Sequence, residues 1–344
     1  MARRRARRAP ALAVPLDPHV QRLLRTLALG APRTADLGAR RDAFHGLLRL
    51  ADTGAAIATI VDRSVPGGPA VRLYTPMQAQ AGLLPGLVFL HGGGFVSGDL
   101  ETHDPLCRTL AAETGCRIVA VAYRLAPEHP FPAAIEDAEA AAEWVLGHAT
   151  ALGIDPARIG LVGESAGAGL AVGVARRLTQ IRPDALALQL LLCPILDWTA
   201  PADARHERAG DFLIDAATIA HDLACYLPAG HDRADPRVSP LLAADFSGLP
   251  PALIHTAEFD PLHEHGALYA DRLAAAGVTA RLTCHAGMVH LFHAFGRAVP
   301  AARAALRQIG AEVRAALARA AVPAGQGAPH EAKRLPDTIL NATI

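Results

Sequence analysis

The sequence predicts an α/β fold in one unit, and three observations carry that expectation. Short β-branched and apolar runs alternate with longer helix-like stretches from about residue 56 to 320, the rhythm of strands with helices packed on their faces. Of the 344 residues, 51% are apolar, enough to bury one large core. A serine framed by glycines, in Gly163-Glu164-Ser165-Ala166-Gly167, stands where a strand-like run gives way to a helix-like one.

The elements follow in order. Residues 1–16 are basic and proline-containing, and a disordered start is expected there. Their arginines (Arg3-Arg4-Arg5, Arg7-Arg8) reflect an Arg-for-Lys bias, since Lys333 is the sole lysine, more than a nucleic-acid or membrane patch. Ala11-Leu12-Ala13-Val14 is too short for an export signal, and Pro15 interrupts it. Asp17-Pro18 opens a helix over His19–Leu27, with a capping carboxylate and a proline in the first turn. Strands are expected near 56–63, 68–75, 84–90, 117–123, 158–163, 187–194, 251–257 and 279–284. The first two, with Pro66-Gly67-Gly68 between them, make a hairpin at a sheet edge. Leu186–Ile195 reads as a buried central strand and is too short for a membrane span. Between 197 and 235 the rhythm lapses, and Ile214–Leu227 there reads as an amphipathic helix. A last helix spans about 299–321, and residues 322–344, without periodicity, read as a flexible tail.

Composition excludes several function classes. The 33 basic and 33 acidic residues balance, so no long-range attraction to nucleic acid or anionic lipid is expected. Five scattered cysteines, odd in number and without C-x-x-C spacing, fit reduced thiols in a cytoplasmic protein.

The chemistry sits at strand ends. Arg158–Val162 is a short apolar strand, and Ala166 onward is long enough for a helix, so Ser165 occupies a tight corner with its hydroxyl projecting. Gly163 and Gly167, lacking a Cβ, allow strand and helix to approach there. This arrangement resembles the nucleophile elbow of α/β-hydrolases. Upstream, the strand Leu84–Leu90 runs into His91-Gly92-Gly93-Gly94. Three consecutive glycines are costly to order, and their use is to present bare amides. The N–H groups of Gly92, Gly93 and Ala166 are expected to form an oxyanion hole, each such donor being worth ~2.7–4 kcal/mol of barrier. A serine nucleophile needs a base, and the base needs an orienting acid, in the chain order Ser, acid, His. Asp260 follows the strand 251–257 and reads either as that acid or as a helix cap before Pro261, and its place between Ser165 and His290 favours the acid. His290 follows the strand 279–284 and is the first candidate base, with His285 and His293 as rivals in the same loop.

Five blocks in this order resemble the hormone-sensitive-lipase-like carboxylesterases, the bacterial family IV esterases and lipases. They are His91–Gly94, Tyr123–Ala134 (similar to the family's Y-R-L-A-P-E-x-x-F-P-A segment), Gly163–Gly167, Glu258–Leu262 and Gly287–Phe292; Val238–Leu241 agrees as well. The resemblance covers roughly residues 17–320. It implies an α/β-hydrolase core of eight mostly parallel strands flanked by helices, with a helical cap assembled from two segments. On that reading the cap takes residues 17–55 and 197–235, and the core takes 56–196 and 236–321. It further implies a serine esterase for short- to medium-chain acyl esters, without a cofactor and with Ser165, His290 and Asp260 as its triad. Family members often pair through the last strand and helix, which would put Arg281 near a homodimer interface.

Two departures stand out. Glu164 replaces the Asp frequent at the elbow, and His263-Glu264-His265-Gly266 replaces the usual Arg-Asp-Glu-Gly after Leu262. His263 and His265 are spaced to point to different faces of a helix, so no metal site is expected. Amide, carbamate or lactone hydrolysis on the same machinery stays open. A non-catalytic receptor of this fold is the less favoured reading, because the plant gibberellin receptors resemble the family but lose the triad histidine, and His290 is present.

Overall fold

Eight strands form one sheet in the spatial order β1-β2-β4-β3-β5-β6-β7-β8. The computed structural model describes residues 15–28, 36–51, 54–77, 82–199 and 212–320. The strands are β1 (Ile57–Ser64), β2 (Ala70–Pro76), β3 (Leu84–Leu90), β4 (Arg117–Ala122), β5 (Ile154–Glu164), β6 (Leu188–Leu192), β7 (Ala252–Phe259) and β8 (Ala280–Val289). β1 and β2 form the expected antiparallel hairpin, β2 also runs antiparallel to β4, and every other pairing is parallel. A parallel sheet must be covered on both faces, which explains the nearly unbroken apolar runs of β3, β4 and β6.

Helices α3 (Asp104–Thr114) and α8 (Pro300–Ala320) cover one face, packing Leu110 and Ile309 against Phe89 and Leu190. Helices α4 (Ala133–His148), α5 (Ala166–Ile181) and α7 (His263–Ala275) cover the other, with Val145, Leu170 and Tyr269 in the larger core. Crossovers of this kind bring the ends of β3, β5, β7 and β8 to one edge of the sheet, where open α/β sheets place their sites.

Two strands are longer than the sequence indicated. β5 starts at Ile154, which pairs with Leu84 across a register shift and fills the space beneath Gly86, where a Cβ would lie 2.6 Å from it. β8 continues to Val289 because the end of β7 pairs with it, Ala257 opposite His285 and Phe259 opposite Val289. His285 is therefore a strand residue, and the loop that carries His290 is shorter than expected.

Three helices lie outside this core. α1 (Pro18–Ala28) is capped by Asp17, whose Oδ1 accepts the His19 N–H at 2.7 Å. α2 (Leu37–Leu48), which the sequence did not reveal, is capped by Asp36. Val20, Leu23 and Leu48 of these two pack with Met288, Val289 and Phe292 at the end of β8. α6 (Ala216–Tyr226), capped by Asp215, buries the Ile219, Leu223 and Tyr226 face and so realises the amphipathic helix of the 197–235 segment. The remaining helical turns are 3-10, at Pro240–Leu242 and Phe292–Phe295. Residues 1–14, 200–211 and 321–344 lie outside the described residues, and with them most of the expected disordered start, the early part of the second cap segment and the tail. No helix among the described residues is long and apolar enough to cross a membrane.

Candidate active site

β5 ends at Glu164 and α5 begins at Ala166, leaving Ser165 alone at the corner. Its backbone adopts φ 51, ψ −116, a conformation that a residue with a side chain holds only when its surroundings over-determine it. Backbone packing does so here. A Cβ on Gly163 would lie 2.4 Å from the Gly167 carbonyl oxygen, and one on Gly167 would lie 2.1 Å from that of Leu90. The Ser165 N–H donates to the Leu192 carbonyl at 2.9 Å, and the Ser165 carbonyl accepts from Ile195 at 3.2 Å. β3, β5, β6 and α5 thus meet at this residue.

Asp260 follows β7 and serves two purposes that the sequence presented as alternatives. Its Oδ1 accepts the Leu262 N–H at 2.8 Å at the start of α7, while Oδ2 lies 2.8 Å from His290 Nδ1. His290 Nε2 is 3.0 Å from Ser165 Oγ. Ser165, Asp260 and His290 are 5%, 1% and 2% exposed. The rivals are engaged elsewhere. His285 Nε2 is 3.1 Å from His255 Nδ1, and burial brings the His285 pKa down to about 4. His293 Nε2 is hydrogen-bonded to Glu164 Oε1 at 2.8 Å.

The electrostatics suit proton exchange. Burial disfavours the charged imidazolium, but the adjoining Asp260 carboxylate outweighs it, and the His290 pKa is raised above its ordinary value. Burial likewise opposes ionisation of Asp260, yet His290 and the Leu262 N–H hold its carboxyl below the usual range. The Cys193 thiol adjoins the pair, its sulfur and the Asp260 and His290 ligand atoms lying within 4.8 Å of one another. Burial pushes that thiol well up, so it stays protonated.

The glycine loop stands against the elbow. A Cβ on Gly92 would lie 3.3 Å from Ser165 Cβ, and Gly93 and Gly94 have φ of 113° and 65°. Neither the Gly92 nor the Gly93 N–H is used in a hydrogen bond among the described residues. The Ala166 N–H belongs to the first turn of α5, where amides have no intrahelical acceptor. His91 fixes the loop from behind. Its ring stacks on Tyr123 at 4.1 Å, its Nδ1 donates to the Gly92 carbonyl at 2.8 Å, and its own carbonyl accepts from the Tyr123 hydroxyl at 2.7 Å. Burial brings the His91 pKa to about 3, so the ring is neutral and Nδ1 carries the proton.

Several neighbours escaped the sequence reading. Asp222 of α6 sits directly over Gly94, where a Cβ would come within 1.9 Å of its Oδ2. It pairs with Arg40 of α2 at 2.5 Å, and Arg40 also meets His221. Burial nonetheless pushes the Asp222 carboxyl up to about 7, the guanidinium offsetting it only in part. Arg41 binds both Glu128 oxygens at 2.8 Å and the Val96 and Ala126 carbonyls. Trp198 and Tyr226 are buried around Phe95, and Phe212 meets Phe259 edge-on. His265 is buried and accepts the Leu196 N–H at 3.2 Å, and His263 lies against Cys284. The two histidines therefore diverge.

Comparison with known proteins agrees with this geometry. A model of the α/β-hydrolase-fold family Abhydrolase_3 matches residues 87–294. Ethyl acetate hydrolase of Pseudomonas putida is 41% identical over 228 residues, 66% of this chain and 72% of that one. The carboxylic ester hydrolase LipN of Mycobacterium tuberculosis is 38% identical over 291 residues, 80% and 77% of the two chains. The crystal structure of LAE6, an α/β-hydrolase enzyme from the metagenome of Lake Arreo, superposes with a TM-score of 0.83 at 35% identity, over 87% of this chain and 98% of that one. With its fold, its elbow and these relatives in agreement, the chain belongs to the hormone-sensitive-lipase-like carboxylesterases of the α/β-hydrolase superfamily.

Proposed function

We propose that the protein hydrolyses short- to medium-chain acyl esters through a covalent acyl-serine intermediate. The observation that carries this reading is the unbroken chain Ser165 Oγ, His290, Asp260, at 3.0 and 2.8 Å, buried beside a loop of free amides. His290 Nε2 takes the Ser165 proton as Oγ attacks the ester carbonyl, and the Asp260 carboxylate stabilises the imidazolium that forms. The carbonyl oxygen becomes an oxyanion facing the Gly92, Gly93 and Ala166 N–H groups. His290 then gives its proton to the departing alcohol. Water, deprotonated by the same imidazole, attacks the acyl-serine, and collapse of the second oxyanion frees the acid and restores Ser165.

No step requires a cofactor or metal. The small-molecule ester is the expected partner, and a cytoplasmic location fits the unpaired thiols. α1 and α2 on one side, and α6 on the other, are assigned to a two-part cap that sets the acyl-length limit. Pairing of two copies along β8, which ends the described sheet, completes the reading; sedimentation as a monomer at micromolar concentration would remove that part.

The test is a set of initial rates on p-nitrophenyl esters from acetate to palmitate, with Ser165→Ala as the blank. Rates that peak among the shorter chains and vanish in the variant support the proposal. Ser165-independent turnover, or turnover of none of these esters, counts against it.

A further inference from the structure

Glu164, the residue before the nucleophile, is a carboxylate with 1% exposure, and burying such a charge is unfavourable unless something requires it. It lies between two imidazoles. His293 Nε2 is hydrogen-bonded to Oε1 at 2.8 Å, and His103 Nε2 stands 2.8 Å from Oε2 as an ion-pair contact without the angles of an aligned hydrogen bond. Both rings are buried, and Thr102 Oγ1 holds the far nitrogen of His103 at 2.9 Å. The three side chains come from three parts of the site. Glu164 ends β5 beside Ser165, His103 caps α3 downstream of the glycine loop, and His293 sits in the 3-10 turn three residues after His290. On the glycine-loop side, the rings of His103 and His91 are 5.2 Å apart.

We infer that Glu164 is a positioning residue: gripped by His103 and His293, its carboxylate ties the elbow to the glycine loop and to the His290 loop, and its fixed negative charge supports His290 as the base. The inference rests on the proposed Ser165–His290–Asp260 machinery. Retention of a costly buried anion is explained when the anion does electrostatic service, and an apolar residue of similar size would fill the same space without it. The charge acts on His91, Cys107, Tyr123, Cys193 and His290, and for His290 it works in the same direction as Asp260. His293 is faced in turn by His255 and His285.

The test compares Glu164→Gln with Glu164→Asp on p-nitrophenyl butyrate, reading kcat, KM and the pH profile of kcat/KM. Glu164→Gln removes the charge at nearly constant shape. Its kcat should fall by about tenfold or more while KM stays within about threefold, and the acid limb should move to lower pH by roughly half a unit or more. Glu164→Asp keeps the charge but shortens the reach to the two rings; it should lose some kcat with the acid limb unmoved. Should Glu164→Gln fail to fold, His293→Gln, which leaves the anion and removes one grip, should lower kcat with the acid limb in place. Wild-type kcat in the variants, or Gln and Asp enzymes with the same acid limb, would overturn the inference. Wild-type protein without Ser165-dependent turnover would instead bring down the reading beneath it, so the two failures are distinguishable.

Discussion

Ser165 and its neighbours are fixed by backbone packed against backbone, whereas α2 and α6 are held by side chains, apolar ones such as Leu48, Ile219 and Leu223 in the core and charged pairs above them. At the elbow, Gly163 and Gly167 admit no Cβ because carbonyl oxygens occupy the space, and strands from three parts of the chain close around one serine. Above it, Arg40–Asp222 joins α2 to α6, Arg41 clasps the Glu128 segment, and one backbone bond, Phe131 N–H to the Tyr226 carbonyl at 2.8 Å, ties the end of α6 down. Backbone packing tolerates almost no substitution and gives sub-ångström placement. Side-chain pairs can be exchanged one at a time. In the proposed reaction the reacting atoms belong to the first region, and the residues that would set which ester enters belong to the second.

The largest expected effect tests the first region. Ser165→Ala and His290→Ala should each lower kcat by ~10³-fold or more in protein that keeps its circular dichroism and Tm. Substantial residual activity in either would remove these atoms from the chemistry. Next comes Gly167→Ala, whose new methyl would lie 2.1 Å from the Leu90 carbonyl oxygen. Overpacking against backbone has no side chain to absorb it, so a loss of about 3 kcal/mol or more in denaturant unfolding is expected, with activity falling alongside. A well-folded, active Gly167→Ala protein would show that the elbow has slack.

Arg40→Ala probes the second region and should leave kcat for p-nitrophenyl acetate within about threefold, because the triad is untouched. Its cost is in stability. The buried Asp222 carboxylate loses its cation, and breaking such a pair costs ~3–5 kcal/mol when the charge stays buried. The sign with pH follows from the raised Asp222 pKa of about 7. In the unfolded chain this carboxyl ionises near its ordinary value of 3.8, so its contribution to folded-state stability is full below that value and is lost as pH rises through about 7; removing Arg40 raises the folded-state pKa further and carries the loss to higher pH. The Tm deficit of Arg40→Ala should therefore be larger at pH 8 than at pH 5. An equal deficit at both would detach the pair from the titration.

A further test needs no substitution, only the pH profile of the wild-type enzyme. His290 must be unprotonated to accept the Ser165 proton, and its pKa is raised above the ordinary 6.5. kcat/KM should climb with pH through that raised value, leaving the enzyme largely inactive at pH 5. A profile flat down to pH 5 would contradict His290 as the base.

The same contrast explains what the sequence made legible. Ser165, Asp260, His290 and the glycine loop each follow an apolar strand and fall in a fixed chain order, so local pattern and motif made them candidates, with His285 and His293 left beside His290. The strands were legible for the same reason, except at the ends of β5 and β8, where pairing with a neighbour extended them beyond their own apolar runs. Glu164 with His293, 129 residues apart, and Arg40 with Asp222, 182 apart, leave no local signature. Sixteen histidines and 33 basic residues offered too many partners for either pair to be chosen from spacing. α2 was hidden because Arg40 and Arg41 share a face with Leu37, Phe44 and Leu48, among its few large apolar residues, and break the apolar stripe, leaving only the Asp36 cap as a signal. Asp260 serves both the turn and the site, since one oxygen accepts the Leu262 N–H in the turn that leads into α7 and the other meets His290.

The most direct test is covalent. Purified wild-type protein, Ser165→Ala and His290→Ala are treated with a fluorophosphonate probe, and the adduct is located by peptide mass spectrometry. A single adduct on Ser165 in the wild type, absent in Ser165→Ala and formed at least ~10²-fold more slowly in His290→Ala, is the expected result. Labelling at another residue, or a His290→Ala protein that labels as fast as the wild type, would contradict a Ser165 activated by His290.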